Sequence, residues 1–167
     1  MEIKTDRLVI KPYTESNEKE MLGLLTNAVI KETYMIPNFQ TKEEAVALFR
    51  KLLDDSRSGK YLELGIYCDD RLIGFLNEVD KDGAKIELGY VIHPDFHGRG
   101  YATEALEAVI EELFCEDFRE VIAGAFENNE ASIRVMAKCG MSPLNKTEDI
   151  FYRGVNRHCV YYSIKKS

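Results

Sequence analysis

The spacing of apolar and polar residues changes several times along the chain, and each change marks a new element. Residues 7–13 (RLVIKPY) alternate as a half-buried strand does, and residues 16–30 carry methionine and leucine at helical spacing after Ser16, a possible cap. Thr41 stands shortly before EEAVALFRKLLDD in a pattern close to a capping box, and its apolar stripe runs to near Gly59. The first third of the chain therefore predicts a strand and two helices.

The middle of the chain predicts a β-meander followed by a helix. YLELGIY, RLIGFLNEV and KIELGYVIH are short runs rich in β-forming residues, separated by DD and DKDG, which are typical of turns between antiparallel strands. From Ala102 to Phe114 the apolar residues recur at helical spacing, and glutamates lie mostly on the other side.

The last third alternates strands with one more helix. EVIAGAF predicts a buried strand, and Asn128 or Asn129 can cap a helix that ends near Gly140. MSPL and HCVYYSI predict final strands around an irregular segment. The resulting order, β-α-α-β-β-β-α-β-α-β-β, indicates one mixed α/β domain over residues 1–167, with no repeat or linker.

Composition narrows the functional classes. No apolar run approaches the roughly 18 residues that cross a bilayer, and the charged start MEIKTDRLVIK lacks the apolar core of a signal peptide, so we expect a cytoplasmic protein without membrane contact. The net charge of −7 argues against nucleic-acid binding and favours cationic partners such as amines or basic peptides. Four separated cysteines without a CxxC pair predict reduced thiols and no metal site: Cys68, Cys115, Cys139 and Cys159.

The stretch HGRGYATEAL joins the third meander strand to the helix that follows it. A strand entering a glycine-containing turn at a helix N-terminus holds anions, because unpaired backbone N–H groups and the helix dipole point outward. Gly98 and Gly100 allow a phosphate to approach the backbone closely, and Arg99 adds a charge. A simple strand-to-helix turn is the alternative. A P-loop requires a lysine in the turn, and this turn has none. A dinucleotide-binding fingerprint has Gly or Ala at the position of Thr103, so both of these phosphate-binding motifs fit poorly.

Together with its surroundings, this stretch resembles a known family. HGRGYATEAL is similar to the pyrophosphate loop of the GNAT superfamily of N-acetyltransferases, and TDRLVIKPY, ELGYVIHPDF and NNEASIRVMAKCGM resemble its RimJ/RimL-like branch, which includes ribosomal-protein N-terminal acetyltransferases. The resemblance covers nearly the whole chain. It implies a mostly antiparallel sheet of about six or seven strands flanked by about four helices, with acetyl-CoA as acyl donor and an amine as acceptor.

The resemblance also implies which residues contact the cofactor. Backbone amides of five successive residues would hold its pyrophosphate: Arg99, Gly100, Tyr101, Ala102 and Thr103. Gly98 belongs to the same turn, and His97 stands where Arg or Gln is usual, which puts that side-chain contact in question. Val91 and Ile92 match the strand whose main chain pairs with the pantetheine arm, and Asn129 matches an asparagine that contacts the arm, a role compatible with capping a helix.

Acyl transfer to an amine needs a base for the ammonium and a donor for the departing thiolate. Glu87 is the leading base because alternation in IELGYVI points it away from its apolar neighbours; a solvent-exposed strand glutamate is the alternative, and Glu78 is a second candidate. Ser132 matches a hydroxyl that can hydrogen-bond the sulfur, or it is a local helix cap. Met136 occupies the position where many members of the family have a tyrosine that donates a proton to the thiolate.

The expected acceptor is a protein or peptide N-terminal α-amine, acetylated directly in a ternary complex. An α-amine has a pKa of about 7.7–8.0, which eases its deprotonation. A small-molecule amine, or a non-catalytic acyl-CoA-binding module, remains an alternative, and the chain is expected to be a monomer or homodimer. Aromatic and apolar residues that could line the acceptor groove lie in TYMIPNFQ and in the segment expected to be irregular: Tyr34, Met35, Phe39, Phe151 and Tyr152.

Overall fold

A computed structural model describes residues 1–167 and shows one eight-stranded sheet with five α-helices. The strands are β1 (Ile3–Lys4), β2 (Val9–Lys11), β3 (Glu63–Cys68), β4 (Arg71–Asp82), β5 (Lys85–Ile92), β6 (Glu120–Phe126), β7 (Ser142–Tyr152) and β8 (Val155–Lys165). The helices are α1 (Glu18–Leu25), α2 (Ala28–Thr33), α3 (Lys42–Ser58), α4 (Tyr101–Cys115) and α5 (Glu130–Lys138). Short 3₁₀ turns precede α1 and follow β5.

The strands lie in the order β1-β2-β3-β4-β5-β6-β8-β7. Every neighbouring pair is antiparallel except β5 and β6, which are parallel because α4 crosses between them. The predicted meander is confirmed as β3, β4 and β5. The mixed, mostly antiparallel architecture is as expected, with one or two more strands and one more helix than the sequence suggested.

Helices cover both faces of the sheet. On one face, buried residues of α4 and α5 pack against the strands in the larger core, which includes Leu106, Val109 and Met136. On the other face, α1, α2 and α3 form a second core around Phe49 and Phe75. Alternation along each strand sends successive side chains to opposite cores, so the period-2 pattern seen in the sequence has a direct packing cause.

Capping residues mark several helix boundaries. Thr41 Oγ1 accepts a hydrogen bond from the Glu44 N–H at 3.3 Å, so the predicted cap is confirmed. The helix ends at Gly59, close to where the predicted stripe stops, and Gly59 adopts the left-handed conformation. The helix expected over residues 16–30 is instead two helices. The Asn27 side chain accepts from the N–H groups of Val29 and Ile30, which starts α2 afresh and breaks the run.

The segment expected to be irregular is a β-hairpin. β7 and β8 run antiparallel from Ser142 to Lys165 and turn at Arg153 and Gly154, both of which have positive φ. Most of β7 is exposed, so its sequence lacks the apolar alternation of a half-buried strand. It forms a strand because β8, held by β6, offers a free edge to pair with. None of the five helices combines the length and apolar character needed to span a membrane.

Candidate active site

The sheet opens between β5 and β6. These strands pair through only four residue pairs, from Lys85 with Glu120 to Leu88 with Ala123. Past that point β5 stays paired with β4 as far as Ile92, and β6 stays paired with β8. The two halves of the sheet therefore separate after Leu88, and the edge of β5 facing the gap has backbone groups without a strand partner.

The backbone alternation along β5 decides which groups face this gap. The His93 N–H donates to the Ile73 carbonyl of β4 at 2.7 Å. Since alternate residues direct their backbone groups to the same side, Val91 also faces β4, and Tyr90 and Ile92 face the gap. The His97 ring confirms the direction of Ile92, because its Nε2 lies 2.7 Å from the Ile92 carbonyl oxygen.

The glycine turn leads directly from this gap to α4. Gly98 and Gly100 have φ of +73° and +80°, a region that favours glycine. Gly100 is the N-cap of α4 and offers no side chain, and the first helical bond runs from the Glu104 N–H to the Gly100 carbonyl at 3.0 Å. The N–H groups of the first turn therefore lack intrahelical partners, an arrangement that fits a phosphate anion.

The side chains of the turn contact neighbouring segments of the chain. The Arg99 guanidinium lies 5.5 Å from the centre of the Phe96 ring, and the Cys68 thiol donates to the Tyr101 hydroxyl at 3.6 Å. His97, the residue that departs from the family pattern, bonds the main chain of Ile92 as described above. This contact holds the glycine turn against the end of β5.

Asn129 and Ser132 lie on the far side of the gap, at the start of α5. Asn129 Oδ1 accepts a hydrogen bond from the Ser132 N–H at 3.2 Å, which makes it the helix cap that the sequence allowed. Ser132 Oγ lies 2.7 Å from the Tyr90 hydroxyl, which also donates to the Ser132 carbonyl at 3.1 Å. Burial raises the pKa of Tyr90 to about 12, so this phenol keeps its proton at neutral pH.

Tyr90 was missed in the sequence. It follows Ile86 and Leu88 at period 2, so alternation assigns it to the core, and only the structure shows that its hydroxyl meets Ser132 across the gap. Met136 is fully buried in the larger core and has no proton to donate.

Glu87 lies on the opposite face of β5 from the larger core, as alternation predicted, at the last paired residues before the gap. Loss of hydration raises the pKa of its carboxyl; Lys146 opposes the shift, and the nearby carboxylates of Asp80 and Glu148 add to it. Glu78, the second candidate for the base, already accepts a hydrogen bond within the protein: the Leu62 N–H donates to its Oε2 at 3.3 Å.

Tyr34 and Tyr152, two of the residues predicted to line the acceptor groove, link the segment around α2 to strands of the sheet. The Tyr34 hydroxyl donates to Asn77 Oδ1 at 2.6 Å and lies close to Gly89, where a Cβ would be 3.0 Å from it. The Tyr152 hydroxyl of β7 donates to the Lys31 carbonyl at 2.8 Å, at the end of α2.

The other predicted groove residues behave differently. Phe39 packs on the second core, whereas Met35 and Phe151 are exposed. No three His, Cys, Asp or Glu side chains converge as ligands of a metal ion would.

Comparison with known proteins supplies the family. Residues 7–142 match the family described as Acetyltransferase (GNAT) domain. The chain is 24% identical over 170 residues to "Uncharacterized N-acetyltransferase YoaA" of Bacillus subtilis, covering 98% of this chain and 96% of that protein. It is 32% identical over 109 residues to "Putative ribosomal N-acetyltransferase YdaF" of the same organism, covering 63% of this chain and 60% of the relative.

The same fold occurs in solved acetyltransferases. One is the Salmonella typhimurium acetyl transferase that modifies the N-terminal serine of 50S ribosomal subunit protein L7/L12. It superposes with a TM-score of 0.84 at 16% identity, over 100% of both chains. The family match covers most of the chain, and the glycine turn and the opened sheet fit the pyrophosphate and the extended arm of its acyl donor. The chain belongs to the GNAT family of acetyl-CoA-dependent N-acetyltransferases.

Proposed function

We propose that this acetyltransferase modifies the N-terminal α-amine of a protein or peptide by direct transfer in a ternary complex. The observation that supports it most is the gap between β5 and β6, which has unpaired α4 amides at one end and the Glu87 carboxylate at the other. An acyl donor and an amine could meet there from the two faces of the sheet.

Acetyl-CoA supplies the thioester carbonyl, and the backbone of this chain holds it. The amides from Arg99 to Thr103 bind the pyrophosphate, and the edge of β5 pairs with the pantetheine arm. Of the two strand residues proposed for this pairing, Ile92 directs its N–H into the gap, and Val91 directs its own toward β4. We therefore assign the arm contact, and the stabilisation of negative charge on the carbonyl oxygen, to Ile92 and to its neighbour Tyr90. Asn129 keeps α5 in place beside the arm.

Glu87 removes the proton from the incoming ammonium, directly or through water. Its raised pKa brings the carboxylate closer in basicity to an amine, and the neighbouring Asp80 and Glu148 attract a cation to the same face. The overall charge of −7 acts in the same direction.

Ser132 donates its hydroxyl proton toward the departing sulfur. The Tyr90 hydroxyl has one proton, which can go to the Ser132 carbonyl or to Ser132 Oγ. When it goes to Oγ, the serine proton is free to point into the gap. Tyr90 thus orients the donor, and the pair takes the place of the tyrosine that Met136 replaces.

The choice of a protein N-terminus is supported by what the relatives are said to do. YdaF is named for ribosomal N-acetylation, and the Salmonella neighbour is described as acting on an N-terminal serine. An α-amine also loses its proton more easily than a lysine side chain, whose pKa is about 10.4.

The experiment is an acceptor panel with acetyl-CoA, read by mass spectrometry that locates the acetyl group. The panel contains a serine-initiated peptide with one internal lysine, the same peptide with its N-terminus already acetylated, a polyamine and an aminoglycoside. We expect acetylation of the free peptide at its α-amine and none of the blocked peptide. Faster turnover of a small amine would replace the proposed acceptor, and acetyl-CoA binding without turnover of any amine would make the protein a binding module.

A further inference from the structure

The turn between β1 and β2 lies against the cofactor loop. The Thr5 N–H donates to the Leu8 carbonyl at 2.9 Å, and the Leu8 N–H donates back to Thr5 Oγ1 at 3.0 Å. These two bonds close the segment TDRL into a tight turn, with the side chain of Arg7 directed at the start of α4. The proposed reaction gives this segment no role.

Four donors of this turn converge on Glu104 in the first turn of α4. The Thr5 hydroxyl and the Arg7 N–H donate to its Oε1 at 2.6 and 3.0 Å. Arg7 Nε and Nη2 both lie 2.7 Å from its Oε2. Partial burial alone would raise the pKa of Glu104, but the hydrogen bonds from Thr5 and Arg7 outweigh it and hold that pKa below its ordinary value. The Arg7 guanidinium is thereby fixed in place and its charge is largely neutralised.

The same guanidinium reaches the glycine turn itself. Arg7 Nη1 donates to the Arg99 carbonyl at 2.8 Å. The guanidinium carbon lies 4.5 Å from the centre of the Tyr101 ring, and Nη2 is 3.4 Å from the position a Cβ of Gly100 would occupy. One side chain therefore touches three successive residues of the loop that receives the pyrophosphate.

The bond to the Arg99 carbonyl determines the direction of the next amide. In a planar trans peptide the C=O and the following N–H point in opposite directions. When Arg7 holds the Arg99 carbonyl on its own side, the Gly100 N–H turns to the other side of the loop. Two glycines at positive φ leave this peptide plane free to rotate, and fixing it in advance removes an entropic cost from binding.

We propose that Arg7 is a positioning residue for the cofactor loop: it orients the Gly100 N–H toward the pyrophosphate before acetyl-CoA binds. This inference rests on the proposed cofactor site. It depends on the planar fork of the guanidinium, which bonds Glu104 and the Arg99 carbonyl at once, and a lysine ammonium would not span both in this geometry. Because Glu104 already neutralises the charge, direct attraction of Arg7 for the phosphates is a small part of its effect.

The test measures the dissociation constants of two acyl donors by calorimetry and amide NMR titration, without an acceptor. Acetyl-CoA carries the pyrophosphate, and S-acetylpantetheine lacks it. We expect Arg7→Lys and Arg7→Ala each to weaken acetyl-CoA about tenfold, the loss typical of one hydrogen bond to a charged group, and to leave S-acetylpantetheine unchanged. Arg57→Ala, which removes a surface guanidinium of α3 paired with Glu15 at 3.4 Å, is the control and should change neither constant.

Wild-type affinity for acetyl-CoA in Arg7→Lys would show that charge alone suffices and would overturn the positioning role. Equal weakening of both donors would show a general structural defect and would overturn it too. If the wild-type protein itself bound no acetyl-CoA, the cofactor site would be wrong, independently of Arg7. Thermal unfolding of each variant identifies those that fold, and Arg7→Lys decides the question if Arg7→Ala does not.

Discussion

At the scale of single residues, Glu87 has the position and the environment of a general base. It lies at the last paired residues before the gap, it is half-buried, and loss of hydration together with neighbouring carboxylates raises its pKa. Alternation in the sequence predicted the direction of its side chain correctly, because the direction of a strand side chain is a local property. The carboxylates of Asp80 and Glu148 come from other strands and could not be found in this way.

We predict that Glu87→Gln lowers kcat at neutral pH by about 10²–10⁴-fold, the usual contribution of a general base. The defect should shrink as pH rises through the pKa of the acceptor amine, because a neutral amine needs no base. In the wild-type protein, kcat/KM should fall as pH decreases through the raised pKa of Glu87, and the variant should lose that limb. Glu78→Gln is the matched control and should keep kcat within a few-fold of wild type; an unchanged kcat in Glu87→Gln would exclude it as the base.

Glu63 makes stability depend on pH. Its carboxylate is buried and accepts a hydrogen bond from the Tyr13 hydroxyl at 2.7 Å. Burial raises its pKa from 4.5 to about 7, although the Tyr13 bond and Lys51 oppose the shift. Between these two values the folded protein keeps a proton that the unfolded chain releases. The stabilisation is therefore complete below about pH 4.5 and is lost as pH rises through about 7.

Glu63→Gln keeps a neutral acceptor for Tyr13 at every pH. We predict that it is more stable than wild type by about 3 kcal/mol at pH 8, and by no more than about 1 kcal/mol at pH 5. Urea unfolding at both pH values measures the difference, and all other titrating groups are shared. A difference that did not change with pH would contradict a raised pKa for Glu63.

At the scale of secondary structure, the part of β5 that borders the gap lies very close to β4. Gly74 pairs with Ile92 at the open end of β5, and a Cβ on Gly74 would lie 2.1 Å from the Val91 carbonyl oxygen. Backbone atoms cannot move aside as a flexible side chain can, so only glycine fits there.

We predict that Gly74→Ala destabilises the fold by about 3 kcal/mol, because the added methyl separates the two strands. Gly23→Ala is the control: Gly23 lies inside α1 with no atom within 4 Å of the position that a Cβ would occupy, so alanine should stabilise by up to about 1 kcal/mol. Chemical denaturation of both variants gives the comparison. If both substitutions were stabilising, the close approach of β4 and β5 would be incorrect.

Sequence patterns predicted the helices and the buried strands because stripe, cap and alternation are local signals. They missed the break at Asn27, where a side chain competes with the helix backbone, and the hairpin of β7 and β8, whose exposed strand depends on the neighbouring β8 edge. They also missed contacts made by residues distant in sequence. Two examples are the contact of Arg7 with Glu104 and that of Tyr90 with Ser132. These residues meet only after the sheet has formed, so no local pattern predicts the contacts.

At the scale of the whole molecule, the proposed cofactor site is assembled from parts that are far apart in the chain. The end of β5, the start of α4 and the start of α5 border the gap, and the contact of Tyr90 with Ser132 crosses it. The N-terminal turn is joined to the glycine turn by Arg7, which donates to the Arg99 carbonyl. Glycine spacing in the sequence indicated the phosphate loop, but the gap that it serves follows from strand order and register. We propose that acetyl-CoA binds to this assembled site through the glycine turn.

Thermal unfolding of wild type, Gly100→Asp and Gly154→Asp, each with and without acetyl-CoA, tests this binding mode. Both glycines have positive φ, at +80° and +78°, but Gly154 lies in the turn between β7 and β8. At about 100 times its Kd the ligand should stabilise wild type by about 2.7 kcal/mol and raise the midpoint by about 5–10 °C. We expect the same rise for Gly154→Asp and none for Gly100→Asp, whose carboxylate would repel the pyrophosphate. No rise in wild type at millimolar acetyl-CoA, or an equal rise in Gly100→Asp, would show that the glycine turn does not bind the pyrophosphate.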